Sequence, residues 1–205
     1  VAHRYGRVID PILLTNYLAG NSFTSFGFEV IEIFKQDDSF QLVAADGRCL
    51  SFDQLVLAGG ADQEVLTRLL MIKGIDIDIT SGQVSYVPET NYSTGLKAGL
   101  SYGGYFTPSK DGYHELGATF DRNAGEKIRK SAHHHNKNLL PADLAALLPD
   151  SKEYGARISR RASTKDRGPL AGKIDDNLYV LGALGARGFT FAPLLGDMLA
   201  AQMLE

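Results

Sequence analysis

The sequence lacks most of the features that mark a specialised class of protein. Its 205 residues include a single cysteine, so an internal disulfide framework is excluded and a reducing, cytoplasmic setting is expected. No apolar run is long enough to cross a bilayer, and the first residues have no charged-then-apolar signal layout. The net charge of −3 is not the basic excess typical of nucleic-acid-binding proteins. With 44% hydrophobic residues, the chain is predicted to be a soluble globular protein.

Motifs for phosphate binding and nucleophilic catalysis are absent as well. The chain has no Gly-x-Gly-x-x-Gly loop, no Gly-x-x-x-x-Gly-Lys loop and no Gly-x-Ser-x-Gly elbow. Cys49 has no reactive surroundings in sequence and is expected to be a small strand residue facing a core. The three histidines at 133–135 do not predict a metal site, because consecutive residues cannot all face one ion and no Cys, Asp or Glu stands at ligand spacing. They are better explained as the polar start of a helix that begins near Asn136.

Two patterns of β-structure alternate along the chain. Short apolar runs at 55–58 and 178–182 are each followed by glycines and a helix, which is typical of buried parallel strands in βα units. Between them, segments rich in Tyr, Val and Phe predict an antiparallel sheet with one helical insertion. The predicted fold is therefore α/β plus α+β, in which a partial Rossmann-like domain is interleaved with an antiparallel-sheet cap domain.

Domain boundaries follow from this alternation. Residues 1–50 are predicted to form a cap-domain helix, at about 10–20, and a β-meander that leads to the Rossmann-like domain. Residues 51–78 supply a strand and a helix of that domain, 79–163 form the cap domain, and 164–205 complete the Rossmann-like domain.

The most informative stretch is the glycine-spaced turn in "YVLGALGARGFTFAPLLGDMLAAQM". Gly182, Gly185 and Gly188 precede an amphipathic helix, whose unpaired N–H groups and positive dipole end attract electron-rich ligand oxygens. Arg187 could add charge there, and Thr190 could cap the helix or donate a hydrogen bond. A tight strand-to-helix connection explains the same glycines without a ligand, and the two interpretations stay open on composition alone. The "LAGG" stretch around Gly59 allows the same two interpretations, a ligand-binding loop or a tight connection. By itself it is better explained as a structural turn.

A second candidate site lies in the arginine-rich stretch "RISRRASTKDRGPLAG". Arginine presents a planar fork that binds a carboxylate or phosphate through two hydrogen bonds, so an inward-facing arginine here is a candidate anion binder. Because side chains alternate along a strand, at most one of Arg160 and Arg161 faces a site.

Several segments resemble one family. "GQVSYV", "YGGYFTPSKDGYHELGATFD", "RRASTKDRGPLAG" and "LYVLGALGARGFTFAPLLGDMLAAQ" occur in the order found in the FAD-dependent D-amino-acid oxidase/glycine oxidase superfamily. Within it, they are most similar to the oxidoreductase half of the bifunctional enzymes that modify the tRNA wobble uridine. The resemblance implies flavin-dependent oxidation of a secondary amine, converting carboxymethylaminomethyl-uridine to aminomethyl-uridine, which a methyltransferase partner domain then methylates.

The resemblance also implies roles for particular residues. The loop of Gly185, Ala186, Arg187, Gly188, Phe189 and Thr190 corresponds to the segment along the flavin ring. Ala58, Gly59 and Gly60 correspond to the strand end near the adenosine side of FAD. Arg161 corresponds to the arginine that binds the substrate carboxylate in glycine oxidases, and Tyr105 to a tyrosine near the same group.

One departure from the family is large. The family opens with a strand, a Gly-x-Gly-x-x-Gly turn and a helix that bind the FAD pyrophosphate, and this sequence has no counterpart. It also begins without methionine. We therefore expect a piece of a longer polypeptide, inactive alone. Either the upstream FAD-binding segment belongs to the same protein and is missing from this sequence, or the chain is a truncated, inactive relative.

The substrate is left open by the residues themselves. A basic stretch, Lys127 to Lys137, could contact tRNA phosphates, but a solvated helical face explains it equally well. The alternatives to tRNA modification are a glycine or D-amino-acid type oxidase of small amines, and a non-catalytic truncated remnant. No membrane partner is expected.

Overall fold

The computed structural model describes residues 8–122 and 127–204 and divides the chain into two compact units. Unit 1 contains the residues up to Asp10 and Thr80–Arg160, and unit 2 contains Pro11–Ile79 and Arg161–Glu205. The helices are α1 (Pro11–Ala19), α2 (Gln63–Leu69), α3 (Lys130–Asn138), α4 (Ala142–Ala146) and α5 (Gly188–Met203). The strands are β1 (Val30–Gln36), β2 (Ser39–Ala44), β3 (Cys49–Phe52), β4 (Leu55–Leu57), β5 (Asp78–Pro88), β6 (Leu100–Ser101), β7 (Tyr105–Phe106), β8 (Tyr113–Gly117), β9 (Gly155–Ser163), β10 (Leu170–Asp175) and β11 (Leu178–Gly182).

Unit 2 is built from two three-stranded sheets. An antiparallel meander has the order β1-β2-β3, and a mixed sheet has the order β10-β11-β4 with β11 and β4 parallel. The side chains of Phe40, Leu57, Leu178 and Val180 are almost completely buried in one apolar cluster. The predicted parallel strand pair and the predicted meander are therefore both present, and the meander groups with unit 2.

Helix α1 of unit 2 was predicted correctly from the sequence, whereas the environment of Cys49 was not. Helix α1 lies within the predicted range of 10–20, and its apolar side chains, including Leu13 and Tyr17, are exposed. The expectation that Cys49 faces a core is wrong, because its side chain is exposed. Strand β3 lies at an edge of the meander, and among its four residues Leu50 alone is partly buried.

Unit 1 is a five-stranded sheet of order β6-β7-β8-β5-β9 that packs against α3 and α4. Val87, Phe106 and Leu116 extend from one face into a cluster with Leu140 and Leu148 of the helical region. Because side chains alternate across a sheet, the neighbours of these residues lie on the opposite face. That second face carries the candidate residue Tyr105.

Polar contacts fix α3 against the sheet. The Gln83 side chain accepts a hydrogen bond from the Arg129 N–H and donates one to the Arg129 carbonyl, at 2.8 and 3.0 Å. The fully buried Asn136 donates to the Gln83 carbonyl, and His133 Nδ1 lies 2.9 Å from the Ser85 hydroxyl. The predicted helix start near Asn136 is therefore wrong: α3 begins at Lys130, where the Gln83 side chain holds the preceding residue.

The buried His133 gives unit 1 a pH dependence. Burial lowers the pKa of His133 below its ordinary value of 6.5, so the folded protein binds fewer protons at this site than the unfolded chain. Its contribution to stability is present above about pH 6.5 and is lost as the pH falls. We expect the melting temperature to decrease from pH 7 to pH 5, and His133→Gln to reduce that decrease. The exposed neighbour provides the control: His134→Gln should leave the pH profile unchanged, and an equal effect of both variants would contradict the assignment.

No helix in residues 8–122 or 127–204 is long and apolar enough to span a membrane. The same residues contain no group of three or more His, Cys, Asp or Glu side chains that could hold a metal ion.

Candidate functional site

The two glycine-containing turns of unit 2 lie at the same edge of its mixed sheet. Strands β4 and β11 pair in parallel, with Leu55 opposite Leu178 and Leu57 opposite Val180. Each strand ends in a glycine turn that leads into a helix, α2 after β4 and α5 after β11. Ligands of open α/β sheets bind outside the carboxyl ends of parallel strands, which is where these two turns lie.

The turn after β11 has an unusual backbone. Ala183 and Gly185 have φ angles of 55° and 57°, in the left-handed region that favours glycine. A short 3-10 turn, Gly185–Arg187, then leads into α5, which begins at Gly188. Apart from its chain neighbours and the backbone of α5, no atom of the described residues lies within 4 Å of the place where a Cβ on Gly188 would stand, so the start of α5 is open on that side.

The other predicted loop residues are placed differently from one another. Arg187 donates a hydrogen bond to the Arg167 carbonyl, and its guanidinium carbon lies 5.2 Å from the centre of the Phe191 ring. Arg187 therefore holds the loop to the neighbouring turn. Thr190 lies within the first turn of α5 and is not its N-cap, a position occupied by Arg187 with no side-chain hydrogen bond. Ala186 and Phe189 are both exposed at the surface of the loop.

A buried glutamine connects the two turns. Gln63, the first residue of α2, has no exposed surface, and its Oε1 accepts a hydrogen bond from the Gly59 N–H at 2.9 Å. A Cβ on Gly182 would lie 3.5 Å from the same Oε1. Its Nε2 has no hydrogen-bond partner among the described residues. Sequence reasoning missed Gln63, because a glutamine at the start of a helix usually faces solvent.

The glycines of the β4 turn serve different purposes. A Cβ on Gly59 would lie 2.6 Å from the Leu66 side chain, so glycine is needed there for close packing of the turn against α2. Gly60 has a φ angle of 58° and no atom within 4 Å of its Cβ position. Gly60 therefore leaves open space at the sheet edge, as Gly188 does in the other turn.

Arg161 lies beside the same loop. It is partly buried, whereas its neighbour Arg160 is exposed, which agrees with the prediction that the two face opposite ways. Ser163, on the same face two residues later, forms a β-bridge with Leu184, immediately before Gly185. Strand β9 thus brings the candidate anion binder to the start of the glycine loop.

A hydrogen-bonded turn fixes the chain after Arg161. The Thr164 hydroxyl donates to Asp166 at 2.7 Å, and the Asp166 carboxylate also accepts the Gly168 N–H at 3.0 Å. The Thr164 hydroxyl and then the Gly168 N–H lower the pKa of Asp166, so this carboxylate stays ionised. These hydrogen bonds close the turn that follows strand β9.

Tyr105 belongs to unit 1, on the sheet face opposite the helices. Its ring lies over Gly117 of the neighbouring strand: a Cβ there would come within 3.0 Å of the Tyr105 hydroxyl oxygen. The Tyr102 hydroxyl donates to the Tyr105 carbonyl at 3.0 Å, and burial, followed by the charge on Tyr105, raises the pKa of Tyr102. On the same face, Arg157 pairs with Glu115 at 3.0 Å.

Comparison with known proteins identifies the family. The family model described as FAD dependent oxidoreductase matches residues 3–202, nearly the whole chain. The chain belongs to the FAD dependent oxidoreductases. The expectation drawn from the sequence segments is thereby confirmed, and FAD is the cofactor of this family.

Two curated relatives have the same name, tRNA 5-methylaminomethyl-2-thiouridine biosynthesis bifunctional protein MnmC. The protein of Idiomarina loihiensis is 32% identical over 173 residues, covering 82% of this chain and 28% of the relative. The protein of Caulobacter sp. is 35% identical over 184 residues, covering 86% of this chain and 29% of the relative. The chain therefore spans less than a third of the length of these relatives.

Solved structures of other family members show the same fold. Glycine oxidase from Bacillus cereus superposes with a TM-score of 0.68 at 20% identity, covering 85% of this chain and 49% of that one. L-proline dehydrogenase from P. horikoshii gives a TM-score of 0.68 at 17% identity, again covering 85% and 49%. At these identities the likeness establishes the fold of the FAD dependent oxidoreductases and not the substrate.

Three observations in unit 2 fit a flavin nucleotide at this edge of the sheet. Gly60 and Gly188 leave open space where side chains would stand, so a flat group can approach the backbone. Helix α5 has sixteen residues and directs its unpaired N–H groups to the same edge. The buried Gln63 Nε2 is an unused donor between the two turns. Together they provide backbone surface and hydrogen-bond donors, and the loop 185–190 contains no acidic residue.

Proposed function

We propose that this chain supplies the flavin-facing loop and the substrate-binding arginine of an enzyme that oxidises the C–N bond of a secondary amine. Its substrate is carboxymethylaminomethyl-uridine at the tRNA wobble position, and its product is aminomethyl-uridine. The observation that carries the proposal is the bridge between Ser163 and Leu184, because it brings Arg161 to the glycine loop within one unit. The names of the curated relatives support RNA as the substrate class.

Different residues of unit 2 would bind the cofactor and the substrate. The segment from Gly185 to Thr190 would hold the flavin ring, and Gly59 and Gly60 would hold the adenosine side. When bound, FAD accepts a hydride from the carbon next to the substrate nitrogen. The unpaired N–H groups at the start of α5 stabilise negative charge that develops nearby.

Arg161 orients the substrate by its carboxylate. A guanidinium binds a carboxylate through two parallel hydrogen bonds, which fixes the position of the amine as well as its identity. Tyr105 is a second residue proposed to contact the substrate. Both roles depend on the full-length protein, in which the upstream FAD-binding segment and a methyltransferase domain are the expected partners.

The proposal is tested by the visible spectrum of the full-length protein. A flavin absorbance that bleaches without oxygen when carboxymethylaminomethyl-tRNA is added would support both the cofactor and the substrate. Bleaching by glycine or another small amine, and not by the tRNA, would favour a small-molecule amine oxidase. A protein that takes up no FAD would overturn the proposal and leave the remnant as the explanation.

The substitution Gly188→Leu should weaken cofactor binding without impairing folding. The Cβ position of Gly188 is open among the described residues, so Gly188→Leu should leave the melting temperature of the apoprotein nearly unchanged. If the flavin lies against the loop, the new side chain occupies its place, and we expect FAD to bind at least about tenfold more weakly. Gly196→Leu is the matched control, because Gly196 lies on the same helix with equally open space. Equal FAD affinities of the two variants would contradict the proposed position of the cofactor.

A further inference from the structure

A cleft of about 470 Å³ opens beside the edge strand β9 in unit 1. Its walls combine apolar and cationic side chains, contributed by Ile128, Ala156, Arg157, Ile158 and Arg160. The volume falls within the range of small-ligand sites, which run from about 300 to 1,000 Å³. Two guanidinium groups over two isoleucines offer both an anion site and an apolar surface on which a base can lie.

Basic residues are in excess around the cleft. The stretch 127–130 contributes Lys127, Arg129 and Lys130 with no acidic residue, and β9 contributes its arginines with none either. Glu115 pairs with Arg157, and Asp121 pairs with Arg129. Cationic side chains therefore extend beyond the cleft itself, which favours a chain of phosphates over a single anion.

The remaining basic residues of this region have other roles. His133 is buried against Ser85, and Lys137 donates to the carbonyls of Leu148 and Pro149 at 3.2 and 3.0 Å. They hold α3 and the end of α4 in place. Of the basic stretch that could contact phosphates, the remaining candidates are therefore its first residues, 127–130, and the exposed histidines 134 and 135.

Strand register connects the cleft to the candidate substrate face. Tyr105 pairs with Gly117, and Glu115 lies two residues earlier on the same strand, so the two side chains share a face. Arg157 reaches Glu115 across β5, where Tyr86 is paired with Glu115. One sheet face thus runs continuously from Tyr105 to Arg157 at the mouth of the cleft.

We propose that the cleft binds a backbone phosphodiester of the RNA substrate, next to the nucleotide whose base is oxidised. Arg157 and Arg160 hold the phosphate, and Ile128 and Ile158 contact the adjoining nucleotide. The inference rests on the proposed function, because it takes RNA as the ligand. A base that is modified inside a protein must leave its stack, and contacts to the flanking backbone hold the strand while it does so.

The pair between Glu115 and Arg157 gives the proposal a directional test. Glu115 occupies part of the hydrogen-bonding fork of Arg157 and places a negative charge near the phosphate site. Replacing it with the isosteric glutamine removes that charge while leaving a polar partner. Glu115→Gln should therefore bind RNA more tightly, and Arg157→Gln more weakly. If the pair were only structural, both variants would weaken binding.

The experiment measures affinity of the full-length protein for an anticodon stem-loop with an unmodified wobble uridine, over a series of salt concentrations. We expect Arg157→Gln and Arg160→Gln each to weaken binding about tenfold and to lower the salt slope by about 0.7 to 1. Lys152→Gln is the control, because Lys152 is a largely exposed cation of the same unit at another position. Melting temperatures confirm that the variants are folded.

The outcomes separate this inference from the proposed function. Unchanged RNA affinity and salt slope in both arginine variants would overturn the cleft assignment, even if wild-type protein oxidises the modified tRNA. The expected losses would support it even if the oxidised amine proved to be a different one. AMP that binds as tightly as the stem-loop and competes with it would indicate a free-nucleotide site and would also overturn the RNA assignment.

Discussion

Arg161→Leu is expected to weaken productive binding of the carboxylated substrate about a hundredfold. Arg161 is partly buried and lies on the strand that bridges to the glycine loop. Losing one partner of a hydrogen-bonded, largely desolvated charge pair costs roughly 2–5 kcal/mol, and a hundredfold corresponds to about 3 kcal/mol. The loss should appear in KM and in kcat/KM, because the arginine binds a part of the substrate that does not react.

A substrate that lacks the carboxylate makes the test specific. Turnover of the full-length enzyme is measured with carboxymethylaminomethyl-uridine and with an analogue in which a methyl group replaces the carboxylate. Arg161→Leu should lower kcat/KM for the first and leave the second nearly unchanged. Arg68→Leu removes an exposed arginine of the same unit, paired with Glu64 on α2, and should affect neither. An equal loss for both substrates would mean that Arg161 supports the loop and does not bind the carboxylate.

Most of the fold of unit 2 was predictable because each strand and helix is indicated by residues within its own segment of the sequence. A short apolar run followed by glycines predicts a strand that turns into a helix, and both examples, at Leu55 and at Leu178, are present and adjacent. The grouping of the meander was not predictable in this way. Alternating apolar residues predict that β1 has a buried face, but they do not specify which sheet or helix covers it.

The candidate site was predictable to different degrees for similar reasons. Strand alternation predicted that Arg160 and Arg161 face opposite ways, and the family resemblance selected Arg161 of the two. Gln63 could not be predicted, because its contacts join residues of two separate turns that sequence spacing does not bring together. The Glu115–Arg157 pair was missed for the same reason, since its partners lie 42 positions apart.

The histidines show how burial changes the meaning of a motif. The run at 133–135 has one sequence signature, but its members have different environments in α3. His133 is buried at the Ser85 hydroxyl, whereas His134 and His135 are exposed. Helical periodicity separates consecutive residues by about 100°, so a run of three cannot share one environment. Neither a metal site nor a uniform phosphate-binding surface follows from such a run.

Gly104→Ala is expected to destabilise unit 1 strongly. A Cβ at this position would lie 2.3 Å from the Gly117 carbonyl oxygen, far inside van der Waals contact, and 3.2 Å from side-chain atoms of Leu139 and Tyr102. The oxygen belongs to the backbone of β8 and cannot rotate away, so β7 and β8 must separate. Overpacking of this kind costs roughly 1–3 kcal/mol or more, which corresponds to a decrease in melting temperature of about 2–12 °C.

The neighbouring glycine provides a matched control for that prediction. A Cβ on Gly103 would lie 3.8 Å from the Leu139 side chain, an ordinary contact, so Gly103→Ala should change the melting temperature little. Separation of β7 from β8 would also move Tyr105, whose ring lies over Gly117. Gly104→Ala should therefore impair binding of the carboxylated substrate as well as stability, and Gly103→Ala should impair neither. Equal melting temperatures for the two variants would show that strands β7 and β8 lie farther apart at Gly104. They would also remove the geometric basis for placing Tyr105 on this face.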